Sequence, residues 1–176
     1  MGCCGSSHSS RTIRVGPLYQ NAVRSLQLRL PRIVAFEHVG STALPGMTAV
    51  PTIDILAGVR ELGKIDGQVI ASLVPAGWEH RPDVEAGIPN RRFFNQPSGT
   101  RYRTTRTSHL HLVKFASPQW RNPITFRDFL RLHGETARKY LDLKRSLASR
   151  PYQNPSDYSA QKGEFVANVL VQAPAC

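Results

Sequence analysis

With 176 residues, 40% of them hydrophobic and 20% charged, the chain has the size of one compact domain with a core of its own. Its 23 Lys and Arg against 12 Asp and Glu give a formal charge of +11, which favours anionic partners and says nothing of fold. No apolar run approaches the about 18 residues of a membrane-spanning helix, and Cys3, Cys4 and Cys176 cannot build a disulfide framework or a four-ligand zinc site within one chain.

Residues 1–14 read as a flexible tail, opening on the small, polar MGCCGSSHSS. Gly2 followed by Ser6 fits the N-myristoylation pattern, and Cys3 and Cys4 are placed for palmitoylation. Peripheral membrane association is expected if the chain is eukaryotic and lipidated there; otherwise it is expected to be cytoplasmic, since no signal-peptide pattern opens it. The domain is expected over 15–172, with 173–176 as a short C-terminal tail.

Apolar residues at helical spacing predict a first helix over 18–30, ended by Pro31, and β-branched and aromatic residues predict a strand over Ile33–Val39. Gly40–Gly46 reads as a turn or the opening of a short helix, and Thr52–Val59 as a second apolar strand. A helix over Leu62–Val74 is broken by Pro75-Ala76-Gly77, and Trp78–His80 starts another strand. Asp83–Asn90 is loop-like, Arg91–Asn95 a short strand, Gln96–Gly99 a hairpin turn, and Arg106–Ala116 a central strand. From Ile124 onward helical spacing takes over, pausing at Gly134 and Pro151–Pro155 and ending in a last helix over Tyr158–Val171. The fold class is α+β, one domain with a mixed sheet covered by helices on one side.

Three polar groups in this frame can carry chemistry. Asp54 lies inside an apolar strand, where an ionised carboxylate needs a hydrogen-bond, ionic or metal partner. The Gly40-Ser41-Thr42 turn before it can direct backbone N–H groups and a hydroxyl at phosphate oxygens. His109 and His111, two apart on a strand, face one side while Leu110 and Leu112 face the other. That pair can ligate a metal, move a proton, recognise phosphate or serve as ordinary hydrogen-bonding residues. Glu37 and His38 fall on opposite faces of their strand, so one of them is turned toward the site, with Glu37 the candidate for a catalytic role. Between Glu85 and Asp128 there is no acidic residue, and Arg91, Arg92 and Arg106 lie in that cationic stretch as candidate phosphate contacts. Lys162 is a further candidate from the last helix. Tyr158 and Lys162 have the spacing of some dehydrogenases, but no Gly-rich dinucleotide turn accompanies them.

The stretches Glu37–Gly46, Pro51–Ile55, Arg92-Phe93-Phe94, Ser108–His111, Phe126–Arg131 and Leu143–Ala148, in this order, resemble the GrpB (UPF0157) family over roughly residues 15–172. That family is similar in fold to nucleotidyltransferases, and the resemblance implies that Gly40 and Ser41 hold phosphate and that Asp54 holds metal. Leu56 stands where a nucleotidyltransferase carries its second acid, and leucine cannot ligate a cation. Val50 replaces a lysine common before the proline, and Ser108 a histidine often found ahead of the His-x-His.

The expected function is metal-assisted nucleotidyl transfer, or ATP-dependent activation of a small-molecule acceptor. Its cofactors are then a divalent cation, Mg²⁺ or Mn²⁺, at Asp54, His109 and His111, and ATP or another nucleoside triphosphate. The partner is an anionic small molecule rather than nucleic acid. The alternatives are a non-catalytic nucleotide or anionic-ligand-binding domain and a metal-dependent enzyme that does not use ATP.

Overall fold

The run Ile53-Asp54-Ile55-Leu56-Ala57-Gly58-Val59 is apolar on both alternating sets of positions apart from Asp54, and such a strand needs cover on both faces. The computed structural model describes residues 15–30, 32–46, 52–85, 87–96, 108–149 and 155–173. Arg106, Val50, the Gly2–Ser6 pattern, the tip of the 96–99 turn and Cys176 lie outside them.

In chain order the elements are α1 (Val15–Gln27), β1 (Ile33–Val39), β2 (Ile53–Val59), α2 (Gly67–Leu73), β3 (Glu79–His80), α3 (Pro82–Glu85), β4 (Arg91–Gln96), β5 (Ser108–Lys114), α4 (Pro118–Leu132), α5 (Gly134–Ser149) and α6 (Pro155–Gln172). The five strands form one sheet in the order β1-β2-β5-β4-β3. The β2 and β5 strands are parallel and all other pairs antiparallel, which makes the mixed sheet of an α+β domain.

Several boundaries move for local reasons. The first helix starts at Val15, because Pro17 falls in a first turn whose N–H groups have no helical partner anyway. It ends before Leu28, where Arg29 N–H and Leu30 N–H both turn back to the Leu26 carbonyl. The expected helix over 62–74 divides at Asp66, whose carboxylate accepts the Gln68 and Val69 N–H groups and caps a fresh start at Gly67. The α4 helix begins at Pro118 rather than near Ile124, with proline at its first position after the Ser117 N-cap.

Helices lie on both faces rather than one. On one face Leu26, Leu30, Leu73 and Trp78 pack with Ile53, Ile55, Leu110, Leu112 and Phe94. On the other, Val39, Leu56 and Val113 pack against Trp120 of α4. Gly58 admits that contact, since a Cβ there would lie 3.0 Å from the Trp120 ring and 2.8 Å from Phe115. Beyond α4, Phe126, Tyr140 and Phe165 meet with ring centroids 5.1 to 6.5 Å apart, joining α4, α5 and α6 into a small bundle.

An ionic clasp ties this bundle to the sheet. Arg127 is buried and donates to Glu37 Oε2 at 2.6 Å, to the His38 carbonyl at 2.8 Å and to Asp128 at 2.8 Å. Arg131 donates to the Ala43 carbonyl at 2.9 Å. Hydrogen bonds to Asp128 and Glu37 hold the Arg127 pKa above its ordinary value, against the opposing effect of burial. Arg127→Met is therefore expected to cost about 2–3 kcal/mol, since the apolar stem is kept and charge-assisted hydrogen bonds are lost. Thermal melts should show it, with a Glu37→Gln/Arg127→Met double variant losing less than the sum of the singles.

Candidate functional site

Asp54 on β2 is level with His109 on the parallel strand β5, and Leu56 is level with His111. Level positions share a face of the sheet, so the acid and both imidazoles converge as their alternation implies. His109 donates its Nδ1–H to Asp54 Oδ1 at 3.1 Å, and His111 Nε2 lies 3.6 Å from the same oxygen. One ligand atom from each of the three lies within 4.8 Å of the others.

The proton positions follow from the neighbours. Arg91 Nη1 is 3.3 Å from His111 Nδ1, and a guanidinium only donates, so Nδ1 accepts and the His111 proton sits on Nε2, toward Asp54. Burial lowers the His111 pKa against the Asp54 charge and keeps the ring neutral. Burial acts to raise the Asp54 pKa, but the hydrogen bonds from His109 and His111 outweigh it and hold the carboxyl well below the usual carboxylate range.

Gly40 closes over the carboxylate. It has φ +74° and ψ −171°, and a Cβ there would lie 2.9 Å from Asp54 Cγ and overlap Oδ2. Residues Ser41–Ala43 then form a single 3₁₀ turn. Thr42 Oγ1 donates to the Thr52 carbonyl at 2.9 Å and accepts from His38 Nε2 at 3.1 Å, so this hydroxyl braces the turn. The Ser41 hydroxyl has no hydrogen bond among the described residues. His38, stacked on Tyr19 at 4.8 Å with its pKa lowered by burial, shapes the turn from the opposite face.

Two lysines complete the site from the helical bundle. Lys144 and Lys162 both have their pKa lowered by burial and raised in part by the Asp54 charge, and their mutual repulsion lowers Lys144 further. Tyr140 and Phe165, one turn from these lysines, pack α5 on α6 with ring centroids 5.4 Å apart, and Lys144 Nζ lies over the Tyr140 ring at 5.9 Å.

A family model described as GrpB protein matches residues 13–172. The chain belongs to the GrpB family. It is 34% identical over 139 residues to the UPF0157 protein YqkA of Bacillus subtilis, covering 77% of this chain and 37% of that one. The Glutamate-rich protein GrpB of Alkalihalophilus pseudofirmus is 31% identical over 134 residues, 76% of this chain and 75% of its own length. The UPF0157 protein PA4798 of Pseudomonas aeruginosa is 35% identical over 151 residues, with 84% of this chain and 58% of that protein covered. The chain thus spans well under two thirds of two of these relatives. The crystal structure of conserved protein GrpB from Enterococcus faecalis matches with a TM-score of 0.74 and 26% identity, covering 90% of this chain and 93% of that one.

Within this GrpB fold the expected site residues separate. Asp54, His109, His111 and Gly40 meet, and Arg91 reaches them through His111; Ser41 and Thr42 follow Gly40 in the turn, and Lys162 is near enough for the Asp54 charge to act on it. Glu37 shares the Asp54 face, but its carboxylate is taken by Arg127 at 2.6 Å, so it holds α4 rather than facing a substrate. Arg92 is level with Leu112, on the opposite face, with Glu85 at 3.5 Å, because adjacent strand residues cannot both face one site. Lys144 and Arg127 were not singled out for the site by the sequence, although aromatic residues one turn from each lysine carry a readable signal. No helix among the described residues is long and apolar enough to cross a membrane.

The site makes stability pH-dependent. His38 and His111 have lowered folded pKa values, so the unfolded chain takes up protons below about 6.5 that the folded chain resists, and stability falls as pH drops from there. Asp54, also lowered, stabilises the fold above its unfolded pKa of about 3.9 and loses that contribution as pH falls further. A calorimetric melting series from pH 8 to 3 is expected to show both declines. A melting temperature constant down to about pH 4.5 would contradict the assignment.

Proposed function

We propose that this GrpB-family chain binds a nucleoside triphosphate together with one divalent cation and transfers its nucleotidyl group to a small-molecule acceptor. The observation that carries the reading is the meeting of an ionised carboxylate and two imidazoles beneath Gly40, with Lys144 and Lys162 near enough for the Asp54 charge to act on them. A nucleotidyltransferase-like site uses the same parts: a turn for phosphate, an acid for a cation and lysines to offset the remaining charge.

The residues present fit a cation at Asp54 and His109. His109 Nε2 is buried without a partner, and so is Asn95 Oδ1, its level neighbour across the β4–β5 pair. Ligation through His109 Nδ1 would leave the ring proton on Nε2. His111 differs, because Arg91 keeps its proton on the nitrogen facing Asp54. A bound cation would supply charge neutralisation at the phosphates, and the imidazole in the set favours Mn²⁺ or Zn²⁺ over Mg²⁺. Lys144 and Lys162 would hold phosphate oxygens, and the Ser41 hydroxyl would donate to one.

Thermal-shift and calorimetric titration with ATP, GTP, CTP and UTP, each with Mg²⁺ or Mn²⁺, tests the reading. Stabilisation that requires both nucleotide and cation is expected, with at least about tenfold weaker nucleotide binding in Lys162→Met. His109→Ala is expected to weaken Mn²⁺ binding more than His111→Ala. No shift with any nucleotide at millimolar concentration would reject the proposal. A second reading, a nucleotide-binding domain without turnover, is favoured by Leu56, which is buried in the place of a second acid. Tight binding without pyrophosphate release would select it.

A further inference from the structure

We infer that the cavity beside Asp54 receives the apolar body of a small carboxylic acid whose carboxylate is held by Arg91, making this class the second substrate of the reaction proposed above. The cavity measures about 370 Å³, within the range of small-molecule sites, and opens between Gly40 and Asp54 on one side and the first turns of α4 on the other. Val39, Leu56 and Val113 of the sheet and Pro118 and Pro123 of α4 give it apolar walls. Ile88, 45% exposed, stands at its rim, an apolar side chain left in water where a ligand would cover it.

Arg91 is the anchor. It lines the cavity, is only 8% exposed, and is the sole cationic side chain among the cavity's described lining residues. Its Nη1 donates to His111 Nδ1 at 3.3 Å and its Nη2 to the Val84 carbonyl at 2.9 Å, both neutral acceptors. Its Nε is buried with no partner. Among the described residues no carboxylate lies within ion-pair distance of it. Glu85, the nearest candidate in sequence, is engaged by His80 at 2.8 Å, by the Phe93 N–H at 2.7 Å and by Arg92 at 3.5 Å.

The Glu85 charge acts on Arg91 only from beyond ion-pair distance and the Phe93 ring lies 5.1 Å from its Cζ, so part of its desolvation cost stands, which a ligand carboxylate would offset with two parallel hydrogen bonds. Arg91 is the one cation on a lining that also carries the Asp54 carboxylate, itself held by His109 at 3.1 Å, so a single negative charge suits the cavity better than a phosphate dianion. Leu56 then acquires a role. A second acid at that position would repel the ligand's charge from within the cavity, whereas leucine extends the apolar floor toward Arg91. The inference rests on the nucleotide reading for the word substrate, but the binding itself does not require nucleotide.

Calorimetry with benzoate, phenylacetate and hexanoate, each against its uncharged amide and without nucleotide or added metal, tests it. At least one acid is expected to bind the wild-type chain about tenfold or more tightly than its amide, and Arg91→Gln should remove that preference. Asn122→Phe, at an exposed α4 position on the cavity wall, should block the same acid while the melting curve stays cooperative, which keeps the test decisive if Arg91→Gln does not fold. Equal binding of acid and amide, or no acid bound by the folded wild type, would overturn the inference. Acid binding with no nucleotide binding would leave it standing and defeat the nucleotide reading; nucleotide binding with no acid bound would do the reverse.

Discussion

Gly40→Ala is expected to abolish cation-dependent nucleotide binding and to lower the melting temperature by about 3–10 °C. Two independent effects add at this position. The backbone combines φ +74° with ψ −171°, a region essentially restricted to glycine, and forcing a side chain into it costs about 1–3 kcal/mol. The added methyl also collides with the Asp54 carboxylate, which cannot recede because it is braced by His109 and packed within the sheet. A displacement of about 1 Å at a group proposed to meet a cation and a phosphate together would be enough to cost about a hundredfold. Gly46→Ala separates the two effects. Gly46 has φ +72°, but a Cβ there meets nothing within 4 Å, so its variant should lose stability and keep binding. Equal loss of nucleotide binding in both variants would show that backbone strain alone, and not the approach to Asp54, matters.

Asp54→Asn is expected to reduce turnover about 10²–10³-fold. The side chain keeps its volume and one carbonyl oxygen to accept from His109, so the sheet should still form. What disappears is the charge that would hold the proposed cation and that partly offsets Lys144 and Lys162, two lysines already disfavoured by burial. A melting-temperature gap between wild type and variant should therefore be present at neutral pH and narrow as pH falls below about 4, where the unfolded wild-type chain takes up a proton that the folded Asp54 resists. Unchanged turnover in the folded variant would remove Asp54 from the chemistry. A gap that widens toward acid pH would mean that Asp54 is not the ionised partner of the two histidines.

The separation of Asp54 and the histidines into one site was readable because strand alternation is a strict rule. An acid in an apolar strand and a His-x-His pair in another need only a common face, and the parallel register of β2 with β5 supplies it. The same rule separates Arg91 from Arg92, which the sequence treated alike. Its consequence there depends on which face each strand presents, and that is set by the pairing of Arg91 with Val113 and of Arg92 with Leu112. Alternation separates Glu37 from His38 but leaves open which faces the site; the register puts Glu37 on the Asp54 face, with its carboxylate held by Arg127, 90 positions away.

The sequence by itself determined the family, the mixed α and β character and the turn, acid and histidine pair at the heart of the site, because these are written in short-range patterns of period two, of glycine and of local apolar runs. The tertiary structure alone decided the cover on both faces, the clasp of Arg127 and the approach of Lys144 and Lys162. Those depend on helices folding back from the far end of the chain, and their cost is set by burial and charge among residues that share no local pattern. Arg91 belongs to the same class: a cation in the sequence is one of 23 Lys and Arg, and only its surroundings leave its Nε buried without a partner.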